Sequence, residues 1–201
     1  MTYDVLIIGG GAAGMSCALI LGSAKEKSFA AAKNIGIITH QKTSHLQNAL
    51  FNNALGIAPK TTGAEILESG LQQLTSLYPH IGQIEREKVN EISKKDGLFS
   101  VFTNKNEYHT KIVVVTVGYT KALTIKGLEK YIEPHQKAKP EKERIQLKNI
   151  DHLIEDGLYV AGTLAGWRSQ FSIACGSGAS VATDILTLWN NGEHVKVHDK
   201  I

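Results

Sequence analysis

Apolar residues fall into short runs separated by polar and glycine-rich stretches, and the spacing of those runs assigns most of the elements. Tyr3–Ile8 is apolar apart from Asp4 and ends in Gly9-Gly10-Gly11. Continuous apolarity over so few residues predicts a strand buried on both faces of a parallel sheet. Ala12 to about Ala24 is rich in Ala, Leu and Met and predicts a helix. Lys25–Lys33, charged and Ala-rich, is expected to continue that helix or to form a short second one. Ile35–Thr39 predicts the second strand, so the chain opens as β-α-β with an ordinary right-handed crossover.

From His40 to Thr62 the chain is polar and lacks periodicity, and unstructured connections of that length are usually functional or mobile. Thr62, with Glu65 three residues on, has the form of a capping box. The helix it opens is expected to reach about Leu77, with Ile66, Leu67, Leu71, Leu74 and Leu77 near one face and Pro79 and Gly82 closing it. Glu85–Ile92, Leu98–Thr103 and Tyr108–Val117 predict strands. Lys95-Asp96-Gly97 and Asn104-Lys105-Asn106 between them supply hairpin-turn chemistry, so an antiparallel meander is expected. Tyr119–Asp151 shows the weakest pattern, and its Lys137–Lys148 charge cluster reads as a solvated loop in preference to an anion-binding patch. Leu158–Gly162 predicts a last short strand and Phe171 to about Asn190 a long helix, followed by a polar tail. Strands alternating with helices make this an α/β chain.

Composition narrows the picture. The chain has 201 residues, 42% apolar and 20% charged, enough for one domain with a substantial core. A net charge of +3 is too mild and too mixed to predict nucleic-acid binding. Two cysteines, Cys17 and Cys175, exclude a disulfide framework, a Cys-rich zinc site and a CxxC redox pair. No apolar run reaches 18 residues and no basic segment precedes the first strand, so neither a membrane span nor a signal peptide is expected, and a cytoplasmic location is. The histidines show no metal-ligand spacing on a helix.

The most specific chemistry is Gly9-x-Gly11-x-x-Gly14 between the first strand and the first helix. The first glycine permits the tight turn, the second lets backbone approach a pyrophosphate, and the third allows close helix–strand contact. The helix N-terminus, through Ala12 and Ala13, then offers free N–H groups and a positive dipole end to the phosphates. The competing reading is a glycine-rich turn without a ligand. Where an acid normally ends the second strand and holds an adenosine ribose, this chain has Thr39, followed by His40 and Lys42. A Thr hydroxyl can bond a ribose, and the missing acid also leaves room for a 2′-phosphate. Equally, His40 and Lys42 are ordinary loop residues.

The order of motifs resembles a known family. Val113–Val117 followed by Gly118 is similar to the strand-end motif of flavoprotein reductases with two dinucleotide domains, which puts Thr116 and Gly118 at the site. Leu158-Tyr159-Val160-Ala161-Gly162-Thr163 resembles their second FAD motif, which normally ends Gly-Asp. Gln170-Phe171-Ser172-Ile173-Ala174-Cys175-Gly176-Ser177-Gly178 is similar to a segment of thioredoxin reductases, and Asn53 sits where that subfamily has its Asn-Phe-Pro-Gly loop. The resemblance implies a Rossmann-like FAD/NAD(P)-binding fold, with a parallel central sheet and an antiparallel meander, spanning residues 1–201. In it the first helix takes the FAD pyrophosphate, the last aims its N-terminus at the flavin ring, backbone at Gln170 and Phe171 meets that ring, and Thr163 replaces the acid at the ribitol.

The departures are equally informative. Thioredoxin reductases place an NADPH-binding domain, with its CxxC, where this chain has only the short connection 119–157. The two acids that grip FAD are Thr39 and Thr163 here, and each exchange is expected to weaken binding by on the order of 1–2 kcal/mol. Cys17 and Cys175 could approach the flavin or simply pack, and His45, Trp167, Arg168 and Tyr119 are the other candidates to line an open flavin face. The expected function is an FAD-dependent oxidoreductase without disulfide reductase activity, supplied by diffusing NAD(P)H or a partner. The alternative is a non-catalytic flavin- or NADP-binding redox sensor or assembly partner. Expected partners are a small-molecule substrate or electron-transfer protein and, as a candidate, a second copy of the chain; no nucleic acid and no membrane.

Overall fold

The computed structural model describes residues 2–40, 45–118 and 123–197. Its spine is five parallel strands: β1 (Thr2–Ile8), β2 (Ile35–Thr39), β5 (Gly82–Glu85), β8 (Glu107–Val115) and β12 (Leu158–Val160). Their spatial order is β5-β2-β1-β8-β12, so the chain starts in the middle of the sheet and reverses direction beside β1. That is the doubly wound arrangement, with its topological switch point where β1 meets β8. β11 (Leu153–Glu155) adds an antiparallel edge to β12. A short β3–β4 pair (Leu50–Phe51 and Thr61–Thr62) closes the segment before the second helix.

Strand alternation divides the core into two layers. Val5 and Ile7 of β1, with Ile35, Ile37, Ile112 and Val114, meet the helices α1 (Ala12–Ser23), α2 (Gly63–Leu77) and α3 (Phe171–Trp189). Leu6 and Ile8, with Ile38, Val113 and Val115, face the opposite way onto the meander β6 (Val89–Lys95) and β7 (Leu98–Thr103) and onto Ile125, Leu128 and Leu147. One edge of β8 is shared: its first half pairs antiparallel with β7 and its last residues pair parallel with β12.

Several expectations need correction. Residues 25–33 form turns, not helix, although Ala24 and Ala30 are buried. The strand expected over Glu85–Ile92 is two strands: β5 runs parallel to β2, the chain turns at Arg86 (φ 59°), and β6 then runs antiparallel to β7. Hydropathy alone does not mark such a crossing, because both sides are strand. The 119–151 stretch carries a small hairpin, β9 (Ile132–Pro134) with β10 (Ile145–Leu147), whose apolar positions seal the second core layer. On α2 the buried face is Leu67, Gly70 and Leu74, while Leu77 is largely exposed. α3 has 19 residues and is long and apolar enough to cross a membrane by length and composition, which uninterrupted apolar runs did not show. Here that apolarity serves packing, with Val181, Ala182, Ile185 and Leu186 buried in the helix-side core.

Candidate functional site

The glycines after β1 do different work. Gly9 adopts φ +112°, and a Cβ there would also meet the Thr116 hydroxyl at 2.9 Å. A Cβ on Gly14 would lie 1.8 Å from the Gly9 carbonyl, so only hydrogen lets α1 settle on the turn. Gly11 is different. Its backbone is extended (φ −76°, ψ −172°), a conformation open to any residue, and among the described residues beyond its two chain neighbours no atom lies within 4 Å of where its Cβ would be. Neither strain nor internal packing requires glycine at this position.

Thr116 secures the turn from β8, its hydroxyl reaching the carbonyls of Ile8 (2.9 Å) and Gly9 (2.8 Å). Across the gap, Gly162 (φ +75°) and Thr163 open a 3-10 turn after β12, and Gly178 lets α3 cross α1 so closely that a Cβ would sit 1.9 Å from the Ala13 carbonyl. The helix ends are treated unequally. α2 is closed by its capping box: Glu65 N–H donates to Thr62 Oγ1 at 3.2 Å, and Thr62 N–H donates to Glu65 Oε2 at 2.7 Å. α1 and α3 have no side-chain cap and no acid in their first turns. Their leading N–H groups are left for another partner.

Between these parts lies a cleft of about 360 Å³. Gly9, Gly11, Ala12, Ala13, His40, Thr116, Gly118, Gly162 and Thr163 all line it. Gly14 lies beneath it. Thr39 does not line it: sharing strand parity with Ile35 and Ile37, it turns to the helix layer and is buried, and the residue at the cleft is His40. Asn53 is exposed on the loop between β3 and β4, and Gln170 is exposed with its carbonyl accepting the Ala174 N–H. Phe171 pairs with Phe51 at 4.9 Å and lines a neighbouring apolar cavity of about 450 Å³ together with Cys175. Trp167 and Arg168 stay outside both, and Trp167 instead stacks on His152 at 5.8 Å. Lys42 and Tyr119 lie outside the described residues, and His45 contributes only backbone to the description.

The thiols are poor nucleophiles. Burial pushes Cys17 far up and Cys175 up to about 11. Among the described residues no group of three or more His, Cys, Asp or Glu could hold a metal.

Glu87-Lys88-Val89, Leu123–Ile125, Leu46, Ser169 and Ala174 also line the cleft, and none stands among the expected site residues. The first three residues reach the cleft only because the chain crosses from β5 to β6 there. Glu87 anchors that crossing, its carboxylate accepting from Thr103 (2.6 Å), Asn106 (2.8 Å) and Tyr108 (3.0 Å). Burial opposes its ionisation, but the three donors win and hold its carboxyl below the usual carboxylate range.

Fold and cleft together define an α/β domain of the Rossmann type, with its crevice at the switch point. Residues 3–171 match the sequence profile of the pyridine nucleotide-disulphide oxidoreductases, and the chain belongs to that family. It is 26% identical over 186 residues to ferredoxin–NADP reductase 2 of Listeria welshimeri, covering 92% of this chain and 50% of that protein. It is 30% identical over 123 residues to a ferredoxin–NADP reductase of Streptococcus thermophilus, covering 58% of this chain and 34% of that one. Thus it spans about half the length of the first of these relatives. Among solved structures, a thioredoxin reductase from Gloeobacter violaceus superposes with a TM-score of 0.72 at 14% identity, covering all of this chain and 99% of the other. An oxidoreductase from Agrobacterium tumefaciens gives 0.72 at 15%, covering 96% and 100%.

Proposed function

We propose that this chain is an FAD-binding oxidoreductase domain that receives electrons from diffusing NAD(P)H or from a partner protein. The observation that carries the reading is Gly11: a glycine that packing among the described residues does not require, at the open N-terminus of α1, facing an open cleft. A pyrophosphate seated there satisfies the vacant amides and explains the missing side chain. The residues fit such a group: Gly9 and Thr116 hold the turn, Ala12 and Ala13 supply N–H donors, Gly162 and Thr163 form the facing wall, and the uncapped start of α3 offers a second positive end. When bound, FAD supplies the hydride and electron chemistry, and the protein's contribution is placement and electrostatics.

In this reading residues 1–201 are one domain and 119–157 replace the NADPH-binding domain of longer relatives. The sequence holds no CxxC, and in this reading its chemistry does not run through a dithiol pair. A cytoplasmic location accords with this role. A second reading, a flavin- or NADP-binding sensor without turnover, is favoured by one specific feature. No acid ends β2, and both His40 and Lys88 line the cleft, a combination that tolerates a 2′-phosphate.

The purified protein should be yellow, or become so on reconstitution with FAD, with a flavin band in its visible spectrum; a colourless protein that refuses FAD overturns the first reading. Anaerobic NADPH should then bleach the band. Retained colour with NADPH excludes supply by the free nicotinamide and leaves a partner donor or the second reading.

A further inference from the structure

Three of the few buried polar side chains in this protein converge on one corner of the cleft, although they come from three separate segments. His135 follows β9, His152 precedes β11, and Ser177 lies in α3. Their common target is Gly162–Thr163. His135 Nε2 lies 3.1 Å from the Thr163 carbonyl. A carbonyl only accepts, so Nε2 carries the proton. His135 Nδ1 in turn accepts the Lys137 N–H at 3.1 Å, which fixes the neutral tautomer. On the other side of the corner, Gly162 N–H donates to Ser177 Oγ at 2.8 Å, and His152 Nε2 lies 2.9 Å from the same oxygen.

The histidines are held in turn. His152 sits at φ 73°, its N–H donating to Asn149 Oδ1 at 3.1 Å and its carbonyl accepting the Val160 N–H at 2.9 Å. Trp167 stacks on its ring, and the Lys137 ammonium lies 4.9 Å from the centre of that indole. Lys137 therefore touches both arms of the cluster, one through its amide and the other through its side chain.

The Ser177–His152 pair has the composition of a nucleophile and its base, but not the placement. Both residues are about 95% buried, and one lone pair of the hydroxyl is already taken by Gly162. Burial also pushes the His152 imidazole below its ordinary value, against the opposing charges of Asp184 and Asp151. What the geometry can do is hold backbone.

We propose that His135 and His152 are positioning residues that preset the Gly162–Thr163 wall of the nucleotide cleft, His135 by binding the Thr163 carbonyl directly and His152 through the Ser177 hydroxyl that accepts the Gly162 amide. The inference rests on the cleft being a nucleotide site. It accounts for how the corner is kept in place without an acidic side chain: Thr163 is presented by a main chain bonded on both sides.

The test uses the full chain, with two readouts. Hydrogen exchange of the Gly162 amide in the ligand-free protein reports the brace itself. The FAD dissociation constant, from quenching of flavin fluorescence, reports its consequence. Ser177→Ala and His152→Leu should each speed Gly162 exchange at least about tenfold and raise the FAD dissociation constant about tenfold. His152→Gln keeps an acceptor near the position of Nε2 and should return both to within about threefold of the parent. His135→Leu should weaken FAD binding similarly, with His135→Gln partly rescuing it through its amide donor. Unchanged Gly162 exchange in Ser177→Ala and His152→Leu overturns the proposal. Equal weakening by His152→Leu and His152→Gln also overturns it, since that shows packing and not hydrogen bonding. If Ser177→Ala does not fold, the His152 pair carries the same comparison. Failure of the parent protein to bind FAD sinks the nucleotide reading, while exchange at Gly162 still decides whether the brace exists.

Discussion

The glycines of the first turn separate folding from binding at single-residue resolution. Gly14→Ala drives a methyl into the Gly9 carbonyl, so it should destabilise the protein by about 1–3 kcal/mol, measurable by urea denaturation. Gly11→Val places its Cβ clear of the other described residues and should leave the denaturation midpoint nearly unchanged while abolishing nucleotide binding. Retained binding in Gly11→Val would mean that the cleft has been misassigned. His152 supplies a second residue-scale effect. Its folded-state pKa lies below the unfolded value of about 6.5, so the unfolded chain binds the extra proton first as pH falls. Its stabilising contribution is therefore complete above about pH 6.5 and drains away as pH falls through its folded pKa. His80 has the same sign, from burial and from Lys25. The melting temperature should fall as pH drops below about 6.5, and His152→Gln should show a shallower slope there.

At the scale of elements, the three helices show what an uncapped end signifies. α2 satisfies its own N-terminus with Thr62 and Glu65, and Thr62→Ala should cost about 1 kcal/mol by denaturation without touching nucleotide affinity, because that helix does not start at the cleft. α1 and α3 have every opportunity for a Ser, Thr, Asp or Asn cap and have Gly11 and Gln170 instead. The meander has its own anchor. Glu87 ties the β5–β6 crossing to β7 and β8 through three side-chain donors, and Glu87→Leu, which strands those donors, should destabilise by about 1–3 kcal/mol or more. Because the same crossing forms a wall of the cleft, that variant should also weaken FAD binding, whereas Thr62→Ala should not.

For the whole molecule, ligand and fold are linked by mass action. FAD at about 100 times its dissociation constant should add about 2.7 kcal/mol. For a chain of this size that corresponds to a rise of about 5–10 °C in melting temperature. A shift under about 1 °C would mean that FAD does not bind the folded protein in preference to the unfolded chain. The short connection 119–157 also acts at this scale. Among the described residues, Ile125, Leu128, Ile145 and Leu147 close the core opposite the helices, so this connection is part of the fold and not a bare linker.

Local sequence determined what depends on neighbours along the chain. The apolar run into Gly9-x-Gly11-x-x-Gly14, the Thr62–Glu65 box, the Leu98–Thr103 strand and the order of motifs were legible because turns, caps and strand periodicity act over a few residues. What required tertiary structure was anything decided by parity or by convergence of distant segments. Thr39 and His40 are adjacent, yet strand alternation sends one into the helix layer and leaves the other at the cleft. Glu87–Val89 became a wall only through a strand crossing, and Trp167 found His152 instead of the cleft. His135, His152 and Ser177 carry no shared signature in the sequence, because hydrogen bonds across 15 to 28 residues of chain are set by how sheet and helices pack and not by the spacing of the residues that make them.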